Sequence, residues 1–171
     1  GGCKNNQNKI TEYQIDCTLS DNVLTGEEKV IFYNGSENSF TELKFNLYAN
    51  AFRKDAKFKP IATQYNYVAY PDGLSYGNIE INSVSDGKKQ LDYRIEGLDQ
   101  NILTVCLEKE IFPNESATVV INYTINLASV IARTGVNEKT INLANFYPVL
   151  CAISNGAFYE CEYYSTGDPY F

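Results

Sequence analysis

The chain has 171 residues and a formal net charge of −7, from 21 acidic and 14 basic residues. This is about the length of one domain, and an apolar fraction of 44% is typical of a globular protein. The acidic balance, with no basic cluster beyond Lys88-Lys89, argues against a nucleic-acid partner. The absence of histidine excludes a Ser-His-Asp or Cys-His couple and any histidine ligand for a metal.

The first nine residues are predicted to be a flexible polar tether. They begin Gly1-Gly2-Cys3 and continue with an Asn-rich run. This start resembles that of a mature bacterial lipoprotein, in which Cys3 would carry the lipid anchor. The protein would then be an extracytoplasmic, cell-surface lipoprotein that meets the membrane only through this anchor. The alternative is an arbitrary boundary with a chance cysteine.

The other four cysteines contain no C-x-x-C pair, so the spacing predicts no metal site in this chain. If the protein is exported, they permit two disulfides in three connectivities. Reduced, buried thiols are the favoured alternative, because nothing in the spacing of the cysteines requires pairing. The four residues are Cys17, Cys106, Cys151 and Cys161.

Three segments near the start alternate apolar and polar side chains, as half-buried β-strands do. The apolar faces of these segments, residues 11–19, 24–33 and 41–48, are Tyr13, Ile15, Cys17 and Leu19; Val30 and Phe32; and Leu43, Phe45 and Leu47. Asn34-Gly35 predicts a turn that residues 36–39 extend into a loop. A short helical turn is predicted around residues 49–53.

Residues 50–76 lose the alternation and read as a long irregular connection, with several tyrosines and prolines. Residues 78–85 and 90–96, joined by a turn at Asp86-Gly87, are predicted to form a hairpin. Two further strands are predicted at residues 102–108 and 117–127. The apolar face of the last strand is Val119, Ile121, Tyr123, Ile125 and Leu127.

Short strands separated by turns predict an all-β fold, either an antiparallel β-sandwich or a saddle-like bent sheet with a long irregular loop. Residues 10–171 are expected to form a single β domain.

Few side chains outside the predicted core are candidates for a catalytic, binding or metal-ligating role. Glu27 and Glu28 are adjacent, so they point to opposite faces of a strand and are interpreted as solvated surface. Glu160, Glu162 and Asp168 are a minor hypothesis for a cation site. Loop tyrosines could bind a sugar or peptide, although strand packing is the favoured interpretation. These tyrosines are Tyr65, Tyr67, Tyr70 and Tyr76.

Several segments, taken in order, resemble the N-terminal domain of the aminopeptidase N-like (gluzincin) zinc metallopeptidases. Three come from the predicted first strands: Tyr13-Gln14-Ile15-Asp16, then Leu24-Thr25-Gly26-Glu27-Glu28-Lys29-Val30, then Glu42-Leu43-Lys44-Phe45-Asn46-Leu47-Tyr48-Ala49-Asn50. Two come from the C-terminal part: residues 140–148, which contain Asn142-Leu143-Ala144-Asn145-Phe146-Tyr147-Pro148, and Gly167-Asp168-Pro169-Tyr170-Phe171. The resemblance covers essentially residues 10–171.

This resemblance implies a non-catalytic domain with no catalytic residue of its own. It would support a C-terminal catalytic domain of the same polypeptide, and that domain would bind zinc through H-E-x-x-H. The end of the family's N-terminal domain helps to line the pocket for the first residue of the peptide substrate. That role would fall on Asn145, Phe146 and Tyr147, although Asn145 departs from the Gln or Glu found in better-known members.

Two other functions stay open. The first is a free-standing cell-surface module that binds carbohydrate or peptide through the loop tyrosines. The second is a chain that hydrolyses peptides by itself, which chelator-sensitive activity would reveal.

Overall fold

The computed structural model describes residues 9–57, 77–127, 135–136, 141–142, 147–154 and 156–158. Its strands are β1 (Glu12–Ser20), β2 (Val23–Tyr33), β3 (Phe40–Asn46), β4 (Asn78–Ser85), β5 (Tyr93–Glu96), β6 (Ile102–Ile111), β7 (Ser116–Asn126), β8 (Gly135–Val136), β9 (Ile141–Asn142), β10 (Val149–Leu150), β11 (Ile153–Ser154) and β12 (Ala157–Phe158). A 3-10 turn at Tyr48–Phe52 confirms the predicted short helical turn. None of the helical structure in these ranges is long and apolar enough to cross a membrane.

The main strands form two antiparallel four-stranded sheets that are not closed into a barrel. Sheet 1 has the strand order β1-β2-β7-β4, and sheet 2 has the order β10-β3-β6-β5. The strand pairs β8–β9 and β11–β12 are separate two-stranded units. The predicted all-β antiparallel fold is therefore confirmed.

The core lies between the inner faces of the two sheets. The predicted apolar face of β7 is fully buried there, because its alternate side chains all point toward sheet 2. Leu43 and Phe45 of β3 supply the opposite side, together with Leu103 and Val105 of β6. The alternation in the sequence thus identified core positions of β7 in sheet 1 and of β3 in sheet 2.

A tight turn at Asp21-Asn22 joins β1 to β2. Both residues have positive φ, 48° and 65°, and Ser20 pairs directly with Val23. Asx residues tolerate this left-handed backbone, which favours the two-residue hairpin turn. The β1–β2 register then runs without a shift over all nine residues of β1.

The predicted hairpin between residues 78–85 and 90–96 is wrong. The turn forms at Asp86, but β4 belongs to sheet 1 and β5 pairs with β6 in sheet 2. The backbone pairing described between the two segments is a single bridge, Ser85 with Gln90, and the Tyr93 hydroxyl donates to the Ile81 carbonyl at 3.3 Å. Leu91 is buried between the sheets, so the chain changes sheet where a hairpin would have continued.

The connection after Tyr33 also changes sheet, and buried Asn34 holds it in place. The Asn34 Nδ2 atom donates to the carbonyls of Asn38, at 2.7 Å, and Ile111, at 3.1 Å. Its Oδ1 atom accepts from the Ser36 N–H at 3.0 Å and the Ser36 hydroxyl at 2.7 Å. The predicted loop is confirmed, with Asn34 as its internal support.

The second half of β1 is less buried than its pattern predicted. Tyr13 and Ile15 are half-buried, but Cys17 is exposed and Leu19 is 39% exposed. The prediction of buried thiols is therefore wrong for Cys17, while Cys151 is buried and Cys106 is half-buried. These side chains are on the inner face of an edge strand, where alternation alone does not ensure burial.

Candidate functional site

Glu28 is buried in the middle of sheet 1. Inward-facing β2 side chains alternate along the strand, and Glu28 pairs with Ile15 of β1 and Ile121 of β7. The residue is 0% exposed, and neither carboxylate oxygen has a hydrogen-bond partner among the described residues. Burial raises the pKa of Glu28 from 4.5 to about 8. At neutral pH this side chain is therefore mainly an uncharged carboxylic acid.

The interpretation of both acidic residues as solvated surface is right for Glu27 and wrong for Glu28. The signal was present in the sequence, because Leu24, Gly26 and Val30 have the same parity as Glu28. A period of two places all of them on one face of β2. The general preference of carboxylates for water obscured that signal.

Tyr123 of β7 lies on the same inner face, two residues along its strand from Ile121, the partner of Glu28. Its ring passes over Gly26, where an added β-carbon would lie 2.6 Å from ring atoms. The side chain is 0% exposed, and its hydroxyl has no partner among the described residues. Burial, then the negative charge of Glu28, raise the pKa of Tyr123. Glu28 and Tyr123 are thus electrostatically coupled buried groups.

Tyr13 of β1 connects this region to the C-terminal strands. Its hydroxyl accepts a hydrogen bond from the Leu150 N–H at 3.1 Å, and its ring centroid is 6.4 Å from that of Tyr147. Burial raises the pKa of Tyr13 to about 12; the Leu150 bond opposes this rise, and the charge of Glu28 adds to it. We call Tyr13, Glu28, Tyr123 and Tyr147 the Glu28 cluster.

The Glu28 cluster combines one protonated carboxyl group with phenols. At neutral pH these groups offer O–H donors and no fixed negative charge, so the cluster suits a neutral hydrogen-bonding role. No group of three or more His, Cys, Asp or Glu residues that could hold a metal occurs within the described ranges. The chemistry available here is a change of charge as Glu28 loses its proton above neutral pH.

Of the predicted substrate-edge residues, Tyr147 is the one that the structure describes, and it packs against Tyr13. Asn145 and Phe146 lie outside the described residues, as does the predicted lipid-anchor residue Cys3. Other predictions that also fall outside them are those for Glu160, Glu162 and Asp168, and for the loop tyrosines Tyr65, Tyr67, Tyr70 and Tyr76. Sequence reasoning missed Glu28 and the position of Tyr123 above Gly26.

Comparison with known proteins assigns no family. No protein family matches the chain, and no curated protein matches it. Among solved structures, the chain is similar to a two-domain M1 zinc metallopeptidase variant bound to L-tryptophan, with a TM-score of 0.43 and 10% identity. The similarity covers 67% of this chain and 19% of that chain, so this chain spans about a fifth of that protein's length. At this TM-score the similarity does not establish membership of the family.

Proposed function

We propose that this chain is the non-catalytic N-terminal domain of a zinc metallo-aminopeptidase. In this role it supports a catalytic domain and lines one side of the substrate cleft. The observation that carries the proposal is the ordered series of sequence segments, from Tyr13 to Phe171, that resemble those of that family. The first three segments begin on β1, β2 and β3, and in the second of them Leu24, Gly26 and Val30 all face the core.

Contact between distant segments supports the same proposal. Tyr13 belongs to the first shared segment and Tyr147 to the fourth, and their rings are in contact. Leu150, just after the fourth segment, pairs with Phe45 of the third segment. The first segment therefore packs against the fourth, and the chain directly after the fourth pairs with the third.

The resemblance implies that the catalytic chemistry belongs to the other domain, and the composition of this chain fits that assignment. The chain has no histidine, so zinc would be held by the H-E-x-x-H motif of the catalytic domain, which also supplies the water-activating base. Asn145, Phe146 and Tyr147 would line the pocket for the first residue of the peptide. The hydrogen bond from Leu150 to Tyr13 holds the chain beside Tyr147, which favours a defined position for that wall.

The first test is the coding sequence after the codon for Phe171. The proposal requires an H-E-x-x-H motif within about one domain length of this point. The encoded longer protein should hydrolyse an aminoacyl p-nitroanilide and lose activity with a zinc chelator, whereas the present chain should be inactive. A downstream sequence without the motif, or chelator-sensitive hydrolysis by this chain alone, would contradict the proposal.

The substrate-edge role has a separate test in the longer protein. Replacing Tyr147 by Phe keeps the ring against Tyr13 and removes only the hydroxyl. We expect a rise in KM of about threefold or more with a smaller change in kcat, as for a group that positions substrate. Tyr93→Phe, in β5 of sheet 2, is the control. Equal KM values for all three proteins would reject the role of the Tyr147 hydroxyl.

Anchoring through Cys3, and hence a cell-surface location, is also part of the proposal. A tagged precursor expressed in a bacterial host should incorporate labelled palmitate and enter the membrane fraction, and Cys3→Ser should abolish both. Incorporation that persists in the Cys3→Ser protein would place the lipid elsewhere and contradict this assignment.

A further inference from the structure

The four edges of the two main sheets differ in how well they are protected from further strand pairing. β5 has four residues and β10 has two, so neither offers a long template. β4 has a register shift between Ile81 and Ser83, and its Ile79 N–H is satisfied by the Asn50 side chain at 3.0 Å. Short strands, bulges and covering contacts are the devices by which natural sheets block their edges.

Within the part of the chain that the structure describes, β1 has none of these devices. It is nine residues long, contains neither Lys nor Pro, and pairs with β2 without a register shift. Among the described strands, β2 is its only hydrogen-bonded neighbour. The other edge of β1 pairs with none of the described strands and is therefore a template for one more strand.

The direction of the free backbone groups follows from the hydrogen bonds of β2. The Asn22 carbonyl accepts from Leu127, and the Asn34 N–H donates to Glu115, so the even-numbered β2 residues bond to β7. In an antiparallel ladder the odd-numbered β2 residues then bond to β1, and they pair with its even-numbered residues. The outward-facing N–H and C=O groups of β1 belong to Tyr13, Ile15, Cys17 and Leu19.

The charges at this edge indicate what kind of side chains an added strand would carry. Asp16 of β1 lies directly opposite Glu27 of β2, and both side chains are exposed. Neither has an ion-pair partner among the described residues, and like charges that face each other across strands are unfavourable. A basic side chain placed beside Asp16 would relieve this repulsion.

The opposite face at the same edge is apolar. Ile15 is half-buried, while Cys17 and Leu19 are exposed on the inner face of sheet 1. A strand added here would cover these side chains with its own apolar residues, because alternate side chains point to opposite faces.

We propose that the free edge of β1 binds an extended segment of another protein that alternates apolar and basic side chains. The main-chain groups of Tyr13, Ile15, Cys17 and Leu19 pair with the segment. Its basic side chains lie near Asp16 and Glu27, and its apolar side chains cover Ile15 and Leu19. This inference is independent of the proposed peptidase function.

A second copy of this chain is a poorer occupant. β1 contains Glu12 and Asp16 but no basic residue, so antiparallel pairing of two copies supplies no charge to offset the carboxylates. Centring the pair on Asp16 would place two carboxylates directly opposite each other. Each copy also has a net charge of −7.

The test uses a blocked peptide that alternates valine and lysine and has the length of β1, nine residues. Amide exchange by NMR gives the residue-specific readout. In the free protein the amides of Ile15, Cys17 and Leu19 should exchange rapidly and those of Asp16 and Thr18 slowly. Saturating peptide should slow the odd-numbered amides and leave the even-numbered ones unchanged.

Control peptides separate strand addition from simple charge attraction. A peptide with proline at its centre keeps the lysines but loses a main-chain donor, and it should bind about tenfold more weakly. A peptide with glutamate in place of lysine should not bind detectably. Equal binding of the proline peptide, or protection at residues outside β1, would overturn the proposal.

Protein variants test the acidic pair without touching the backbone. Asp16→Asn/Glu27→Gln should weaken peptide binding about tenfold, and the matched pair Glu37→Gln/Glu80→Gln removes two exposed charges elsewhere and should not. An equal loss of peptide affinity in both double variants would show that only the net charge of the protein matters, and this would overturn the proposal. A chain that sediments as a dimer, with the odd-numbered β1 amides already protected, would also overturn it.

Discussion

Gly26 lies directly beneath the ring of Tyr123, with no room for a β-carbon between them. An atom added at that position would be 2.6 Å from the ring and 2.7 Å from the hydroxyl oxygen. Because Tyr123 is completely buried, its ring has little freedom to move away. Glycine at this point of β2 is therefore a packing requirement rather than a turn signal.

Gly26→Ala should destabilise the domain by about 1–3 kcal/mol, the usual cost of overpacking a core. Urea unfolding would measure the loss. Gly35→Ala is the control, because its nearest contact is at 3.6 Å and it should change stability little. In the Tyr123→Leu background, the cost of Gly26→Ala should shrink; an equal cost in both backgrounds would show that the ring is not the cause.

Glu28 should make the domain less stable as pH rises. In the unfolded chain the carboxyl ionises near pH 4.5, but in the folded protein it retains its proton until about pH 8. Between these values the unfolded state binds fewer protons, so the free energy of unfolding falls by up to about 1.4 kcal/mol per pH unit. The contribution of the Glu28 proton to the free energy of unfolding is fully present below pH 4.5 and is lost as pH approaches 8.

Glu28→Gln should remove most of this slope and unfold at higher urea concentration than the native chain at about pH 7.5. Urea midpoints measured from about pH 5 to 8 would test it. Glu27→Gln, the exposed neighbour, should keep the native slope. A slope that survives in Glu28→Gln would assign the titration to another group.

Substitution of Asn34 should lower the free energy of unfolding more than substitution of most other polar residues. Asn34→Ala removes four side-chain hydrogen bonds, two donated and two accepted, and leaves the buried Ile111 carbonyl without this partner. We expect a loss of about 2–4 kcal/mol in thermal or urea unfolding. Asn126→Ala, which removes an exposed bond to Asn78, should cost less than about 1 kcal/mol. Similar losses at both positions would contradict the supporting role of Asn34.

Tyr13→Phe should loosen the attachment of β10 to sheet 1. The substitution removes the acceptor of the Leu150 N–H, which lies 137 residues away in sequence, while it keeps the ring beside Tyr147. Hydrogen exchange at Leu150 should accelerate by about fivefold or more, corresponding to about 1 kcal/mol. In the control Tyr93→Phe, exchange at Leu150 should be unchanged. Unchanged exchange in Tyr13→Phe would mean that the β3 pairing alone holds β10.

Local alternation predicted most of the strands, because the period of side-chain direction is fixed within each strand. The face of β7 and the burial of Leu43 and Phe45 follow directly from it. Alternation does not determine which sheet a strand joins. The segments on either side of Asp86 are neighbours in sequence, yet β4 and β5 pair with different strands.

The Glu28 cluster was harder to predict for two reasons. The alternation along β2 places Glu28 on the core side, but carboxylate side chains are mostly found on protein surfaces. The residue type therefore favoured an exposed position. The link between Tyr13 and Leu150 joins distant parts of the chain, so no local pattern indicates it. Tyr147 was identified by resemblance alone, without its contact to Tyr13.

The pairing of β2 with β7 has a consequence for synthesis. Val23 pairs with Asn126, so the centre of sheet 1 cannot close until β7 has left the ribosome, whereas the β1–β2 hairpin is complete much earlier. Until then the Glu28 side chain is exposed to solvent and ionised at neutral pH. Arrival of β7 buries it, and the nascent domain must bind a proton from its surroundings as the sheet closes.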